Sequence, residues 1–172
     1  LGTAQRLYKW TNHWLQDPED GLYWDNVALN GEVDERKYTY NTALMIRANA
    51  LFHTVTGDRA YLDEAQRVAR AAEAHWLDQR EEGIAIADGG RFAHMLLEAV
   101  LAVEEQDGDP RWSQIAQRTL RFVHAQVRDP HGRYANRWDR SQDAPLSRLT
   151  LLDGASAARA FWVLAGHTAA RP

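Results

Sequence analysis

Two kinds of helical pattern alternate along the chain of 172 residues. In the first kind, around Leu7, Leu62 and Ile115, apolar residues recur every three or four positions and Arg, Glu and Gln fill the rest. The second kind is apolar on nearly every side, in the segments 43–52, 92–103 and 154–165. A one-sided helix covers a core and faces water, whereas a helix that is apolar all round is buried. The pattern therefore predicts outer helices packed around inner ones, in three successive pairs.

An internal repeat supports this arrangement. Gly-Asp at 57–58 followed by Ala-Gln-Arg at 65–67 recurs as Gly-Asp at 108–109 followed by Ala-Gln-Arg at 116–118, and a partial copy begins at position 4. Asp58 and Asp109 stand where outer helices should begin, as N-caps.

The pattern predicts an all-α fold, either a curved αα solenoid or an αα toroid. Of the two we expect an αα-hairpin toroid of the (α/α)6 type, with about three hairpins, or half a barrel, in this chain. We expect one domain over 1–172, with repeats at roughly 1–55, 56–106 and 107–172, and no β-strands.

Composition narrows the possible partners. The net charge is −4 and the 20 basic residues are spread along the chain, so we expect no nucleic acid. There is no run of about 18 apolar residues, so no membrane partner is expected. Cysteine is absent, and the seven histidines form no zinc motif, so we expect neither a metal nor a cofactor.

The connections that lead into the inner helices carry the candidate chemistry. Those at 21–40 and 132–152 are about twice as long as the one at 83–92, and because each precedes an inner helix, all should meet at one end of the array, here called the mouth. The long ones interleave aromatic rings with carboxylates and amides, a combination that suits the apolar face and hydroxyl rim of a sugar. The alternative is that these rings only plug the rim of the array. The candidate substrate contacts are Tyr23, Trp24, Asp25, Tyr40, Asn41, Asp88, Tyr134 and Trp138. For Asp88, just before an inner helix, an N-cap role is the alternative.

Three motifs carry a resemblance to a known family. Gly-Leu-Tyr-Trp-Asp at 21–25, Tyr-Thr-Tyr-Asn at 38–41 and Thr-Gly-Asp-x-x-Tyr-Leu at 56–62 follow one another as in the second half of glycoside hydrolase family 76, the endo-α-1,6-mannanases. The resemblance implies a closed (α/α)6 barrel with a substrate cleft at one mouth, and retaining hydrolysis by two adjacent aspartates in the N-terminal half. It places the Trp24-Asp25 loop and Tyr40-Asn41 on the wall of the cleft.

No Asp-Asp pair occurs in this sequence, so the resemblance implies a catalytic pair outside it. We expect an oligosaccharide or polysaccharide substrate and no catalytic residue here, and the isolated chain should be inactive. The alternatives are a non-catalytic carbohydrate-binding module that self-associates, or a toroid like those of sugar epimerases. We also expect the apolar flanks of the terminal hairpins to be buried by a neighbour, which is either a missing N-terminal half or a second copy of the chain.

Overall fold

The computed structural model describes residues 1–140 and 150–170. Its elements, in chain order, are α1 (Gly2–Leu15), β1 (Trp24–Val27), β2 (Val33–Lys37), α2 (Thr39–Thr56), α3 (Arg59–Trp76), β3 (Leu77–Arg80), β4 (Gly83–Ile86), α4 (Gly90–Asp107), α5 (Arg111–Phe122), a π-helical turn (Val123–Val127) and α6 (Leu151–Ala169).

The predicted alternation of helices is confirmed. The inner helices α2, α4 and α6 pack side by side in that order, and the outer helices α3 and α5 pack on them from outside. The outer helix α1 lies against α2, where Tyr8 donates a 2.8 Å hydrogen bond to Asn49 and packs edge-on against Phe52. Each inner helix extends two to four residues beyond its predicted apolar segment at each end, as is usual for helix ends inferred from a pattern.

The repeated Gly-Asp pairs have the same structural role in both copies. Gly57 and Gly108 end α2 and α4 in the left-handed conformation, with φ of 69° and 73°, and each donates its N–H to the carbonyl four residues earlier. Asp58 then caps α3 by accepting the N–H of Ala60, as predicted. The expected cap at Asp109 is displaced by one residue, because α5 starts after Pro110, although the Asp109 carboxylate still accepts the N–H of Arg111.

The prediction that the chain has no strands is wrong. Two antiparallel two-stranded ribbons, β1–β2 and β3–β4, lie in the connections that lead into α2 and α4. The turn of the first contains Asn30-Gly31, with Gly31 at φ of 88°, which is a typical hairpin sequence. Because the ribbons lie in the connections, the order and packing of the helices are unaffected.

The connections into the inner helices meet at one end, as predicted. The Asp88 carboxylate accepts a hydrogen bond from the N–H of Thr39 at the start of α2, and the Asp88 carbonyl accepts one from the N–H of Trp138. Gly89 and Arg137 form an isolated β-bridge between the second and third connections. The rest of the third connection, 141–149, lies outside the described residues.

Both ends of the array carry exposed apolar side chains, here called the open flanks. On α1, Leu7, Trp10 and Trp14 follow one another at helical spacing and are 61%, 48% and 42% exposed. At the other end, Leu151, Leu152 and Trp162 of α6 are also exposed, Trp162 to 75%. These side chains are more than a scatter of single exposed apolar residues. None of the helices within 1–140 and 150–170 is both long and apolar enough to span a bilayer.

Candidate functional site

A polar cluster lies at the mouth, where β1 faces the first turn of α2. The Tyr40 hydroxyl donates a 2.6 Å hydrogen bond to Oδ1 of Asp25, and the Asn41 side-chain amide donates to the same oxygen at 3.1 Å. Asn26 donates to the other oxygen, Oδ2, at 3.0 Å. The structure therefore brings the three candidate contacts Asp25, Tyr40 and Asn41 together, and they remain partly exposed to solvent.

Three aromatic rings form a continuous surface beside this carboxylate. The ring of Tyr40 stacks on Tyr38 with centroids 6.0 Å apart, and it packs against Phe92 of α4 at 4.8 Å. The guanidinium of Arg91 lies 5.3 Å from the centre of the Phe92 ring. The surface joins the N-termini of two adjacent inner helices, and it offers ring faces next to a hydrogen-bond acceptor, as sugar recognition requires.

The electrostatics of the cluster keep Asp25 ionised. The hydrogen bond from Tyr40 is the main cause that lowers the pKa of Asp25 below its ordinary value, and Asn41 and Asn26 act in the same direction. The same contact raises the pKa of the Tyr40 phenol, because a neighbouring carboxylate disfavours phenolate. Asp25 is thus suited to accept hydrogen bonds from hydroxyl groups and unsuited to donate a proton at neutral pH.

The carboxylate of Asp88 joins the start of α2 to the connection that precedes α4. It is buried; Oδ2 accepts from both the N–H and the hydroxyl of Thr39 at 2.8 Å, and Oδ1 accepts from the N–H of Gly89 at 2.6 Å. Asp88 therefore caps α2, a helix distant in sequence, and it does not face a cleft. From the sequence we expected Asp88 either to contact the substrate or to cap its own helix, α4. The structure shows neither of these roles.

Two aromatic candidates lie in the core. Tyr23 is buried, with its hydroxyl donating to Asn12 at 2.8 Å and its N–H donating to Thr42. Trp138 is fully buried against Gly90. Neither ring is accessible to a ligand, so neither remains among the proposed substrate contacts. Aromatic composition alone does not reveal the direction of a side chain.

Two further candidates lie away from the cluster. Trp24 precedes Asp25 on β1 and lies on the opposite face of the β1–β2 ribbon, where it interacts with the Asp17 carboxylate and lowers its pKa, although less than Lys37 does. Tyr134 packs near Phe161 of α6, and its hydroxyl lies 3.2 Å from Nδ1 of His124. The eight candidates therefore do not form a single surface.

Sequence reasoning did not assign Tyr38 and Phe92 to the site. Both lie within three residues of an inner-helix start, as Tyr40 does, and this shared position is the signal that would have identified them. No group of three or more histidine and carboxylate side chains that could hold a metal occurs in the part of the chain that the structure describes.

The chain was compared with protein-family models, solved structures and curated proteins. The model of glycosyl hydrolase family 76 matches residues 1–89. A family 76 α-mannanase from Bacteroides thetaiotaomicron superposes with a TM-score of 0.88 at 27% identity, over 98% of this chain and 46% of that one. An α-1,6-mannanase from a Salegentibacter species superposes with a TM-score of 0.72 at 26% identity, over 93% of this chain and 51% of that one. A search of curated proteins returns no match.

The chain thus spans about half the length of these solved relatives. Their helical toroid confirms the predicted fold class, and the family resemblance inferred from the three motifs is confirmed as well. The family model covers the ribbon with Asp25 and the α2 start with Tyr40 and Asn41. This chain belongs to glycosyl hydrolase family 76.

Proposed function

We propose that the chain forms one wall of the glycan cleft of an α-1,6-mannanase-type hydrolase. The observation that carries the proposal is the Asp25 carboxylate, ionised and oriented by Tyr40 and Asn41 beside the rings of Tyr38 and Phe92. In this arrangement Asp25 accepts hydrogen bonds from sugar hydroxyls, and the rings cover the C–H face of a pyranose.

We infer the substrate class from the names of the solved relatives. The Salegentibacter enzyme is an α-1,6-mannanase, and its inactive variant with two consecutive aspartates replaced by alanine was solved with α-1,6-mannotetraose. This chain has no consecutive aspartates. Retaining hydrolysis needs two carboxyl groups about 5 Å apart. In our proposal the catalytic pair therefore lies outside these 172 residues, and the residues of the mouth bind and orient the substrate.

The open flanks support a proposal for how the wall is completed. Apolar stripes on α1 and α6 mark both ends of an array that matches about half of each solved relative. We propose that three further hairpins cover these flanks, either within a longer chain or in a second copy of this one. Sedimentation of the chain distinguishes the two: a monomer favours the longer chain, and a stable dimer favours the self-associating, non-catalytic alternative.

Calorimetric titration with α-1,6-mannotetraose tests the binding role. Asp25→Ala should weaken binding by about 1–3 kcal/mol, the usual range for loss of a charged hydrogen-bond acceptor. Asp63→Ala is the control, because Asp63 lies on the outer helix α3 and forms an exposed ion pair with Arg59, away from the mouth. Equal losses in both variants, or no loss in either, would contradict the proposal.

A further inference from the structure

A second concave surface lies on the other face of the β1–β2 ribbon. Alternation along β1 directs Trp24 away from the mouth and toward the C-terminal turn of α1. There it borders a cavity of about 580 Å3, here called the outer pocket. The polar side chains that line it are Asn12, His13, Gln16, Asp17 and Arg67.

The polar lining of the outer pocket is fixed by contacts within the chain. The Gln16 amide donates to Glu64 at 3.0 Å, and Arg67 donates to the same carboxylate at 2.8 and 2.7 Å. Lys37 lies 2.6 Å from the Asp17 carboxylate. Groups that are already ordered lose little conformational entropy when a ligand binds.

The charged side chains of the outer pocket are paired with one another, and this favours an uncharged ligand. Arg67 is paired with Glu64 and Asp17 with Lys37, so neither an anion nor a cation finds an uncompensated partner. What remains is a partly exposed indole ring surrounded by amide, imidazole, carboxylate and guanidinium groups. A neutral ligand with one apolar face and many hydroxyls, such as a hexopyranose, matches this lining.

The walls of the outer pocket come from two outer helices and one connection. On α1, Gln16 lies on the side that contacts α3, and His13 packs against Trp14 of the open flank. Arg67 of α3, the connection between α1 and β1, and Trp24 supply the rest of the lining.

We propose that the outer pocket binds a hexose unit of the glycan, as a second site distinct from the mouth. That the hexose is mannose rests on the proposed function, whereas the preference for a neutral sugar rests on the pocket's own lining. Trp24 and Asp25 are consecutive residues on opposite faces of the ribbon, so one polysaccharide that passes around it engages both sites and gains avidity.

The test follows the indole N–H resonance of Trp24 in the 15N-labelled chain during titration with α-1,6-mannotetraose. Loss of that signal in Trp24→Phe assigns it, so the main experiment uses the unaltered protein. We expect the resonance to shift with saturation, and still to shift and reach saturation in Asn41→Ala, which alters only the mouth. His13→Ala should weaken the effect several-fold, and its far-ultraviolet circular dichroism checks that it folds.

The two proposals fail in different ways. A Trp24 resonance that stays still while the Asn41 amide shifts would overturn the outer pocket and leave the mouth. A Trp24 resonance that shifts while the Asn41 amide stays still would support the outer pocket and overturn the mouth. If neither responds at millimolar sugar, both proposals are wrong.

Discussion

Asp88 and Thr39 are 49 positions apart in sequence and are joined by two hydrogen bonds of 2.8 Å. The carboxylate satisfies the first backbone N–H of α2, which an isolated helix would leave without a partner. Its negative charge also lies at the positive end of the helix dipole. The start of α2, which carries Tyr40 and Asn41, is thereby fixed to the connection that precedes α4.

Asp88→Ala should lower the free energy of unfolding by about 2–4 kcal/mol, because it removes hydrogen bonds to a charged acceptor and leaves a buried N–H without a partner. Asp58→Ala is the control: it removes a single cap bond at an exposed helix start and should cost about 1 kcal/mol. Urea denaturation measures both. Equal losses would mean that Asp88 is only an ordinary cap.

The bond between Tyr40 and Asp25 should show a defined pH dependence. The pKa of Asp25 is lowered in the folded state, so its stabilising effect is present above the ordinary value of 3.8 and is lost as pH falls through the lowered pKa. The pKa of Tyr40 is raised from 10.0, so its effect is present below that value and is lost as pH rises through the raised pKa.

The difference in unfolding free energy between wild type and Tyr40→Phe should therefore be constant at about 1–2 kcal/mol between roughly pH 5 and 9. It should shrink below pH 3.8. Denaturant titrations at several pH values measure it. A difference that changes across the neutral range would show that another group titrates with the pair.

Two helical glycines should respond in opposite ways to alanine. A Cβ on Gly90 would lie 2.3 Å from Nε1 of the buried Trp138, so Gly90→Ala should cost about 1–3 kcal/mol through overpacking. A Cβ on Gly154 of α6 meets no atom of residues 1–140 or 150–170 within 4 Å, so Gly154→Ala should stabilise by about 0.5–1 kcal/mol. Thermal unfolding of the two variants checks the signs, and a stable Gly90→Ala would mean that Trp138 is free to move.

Hydrolysis by the isolated chain should be undetectable, because the sequence lacks consecutive aspartates. The assay is the release of reducing sugar from an α-1,6-linked mannan, with a family 76 mannanase as the positive control. Turnover by the chain alone would require a carboxylate pair within these residues and would contradict our placement of the catalytic pair.

The helices could be predicted because burial leaves a direct signature in sequence. Inner helices are apolar all round and outer helices on one side, and Gly57 and Gly108 mark where the inner helices end. The strands were missed because they are only four or five residues long and their polar residues obscure alternation. Asn30-Gly31 was the local signal for the turn of the first hairpin.

The candidate site could be predicted only in part. Asp25, Tyr40 and Asn41 were proposed from recognisable motifs in the connection into an inner helix, and the structure brings them together. The burial of Tyr23 and Trp138 depends on which way each side chain points, which loop composition does not encode. The separation of Trp24 from Asp25 follows from strand alternation, and it could not be foreseen while the segment was taken to be a loop.

A crystal structure of the chain with α-1,6-mannotetraose tests the central claim most directly. Our account predicts a sugar hydroxyl within about 2.6–3.2 Å of the Asp25 carboxylate, with a pyranose ring against Tyr40 or Phe92. A structure in which the tetrasaccharide is bound elsewhere, and Asp25 contacts only its protein neighbours, would contradict it.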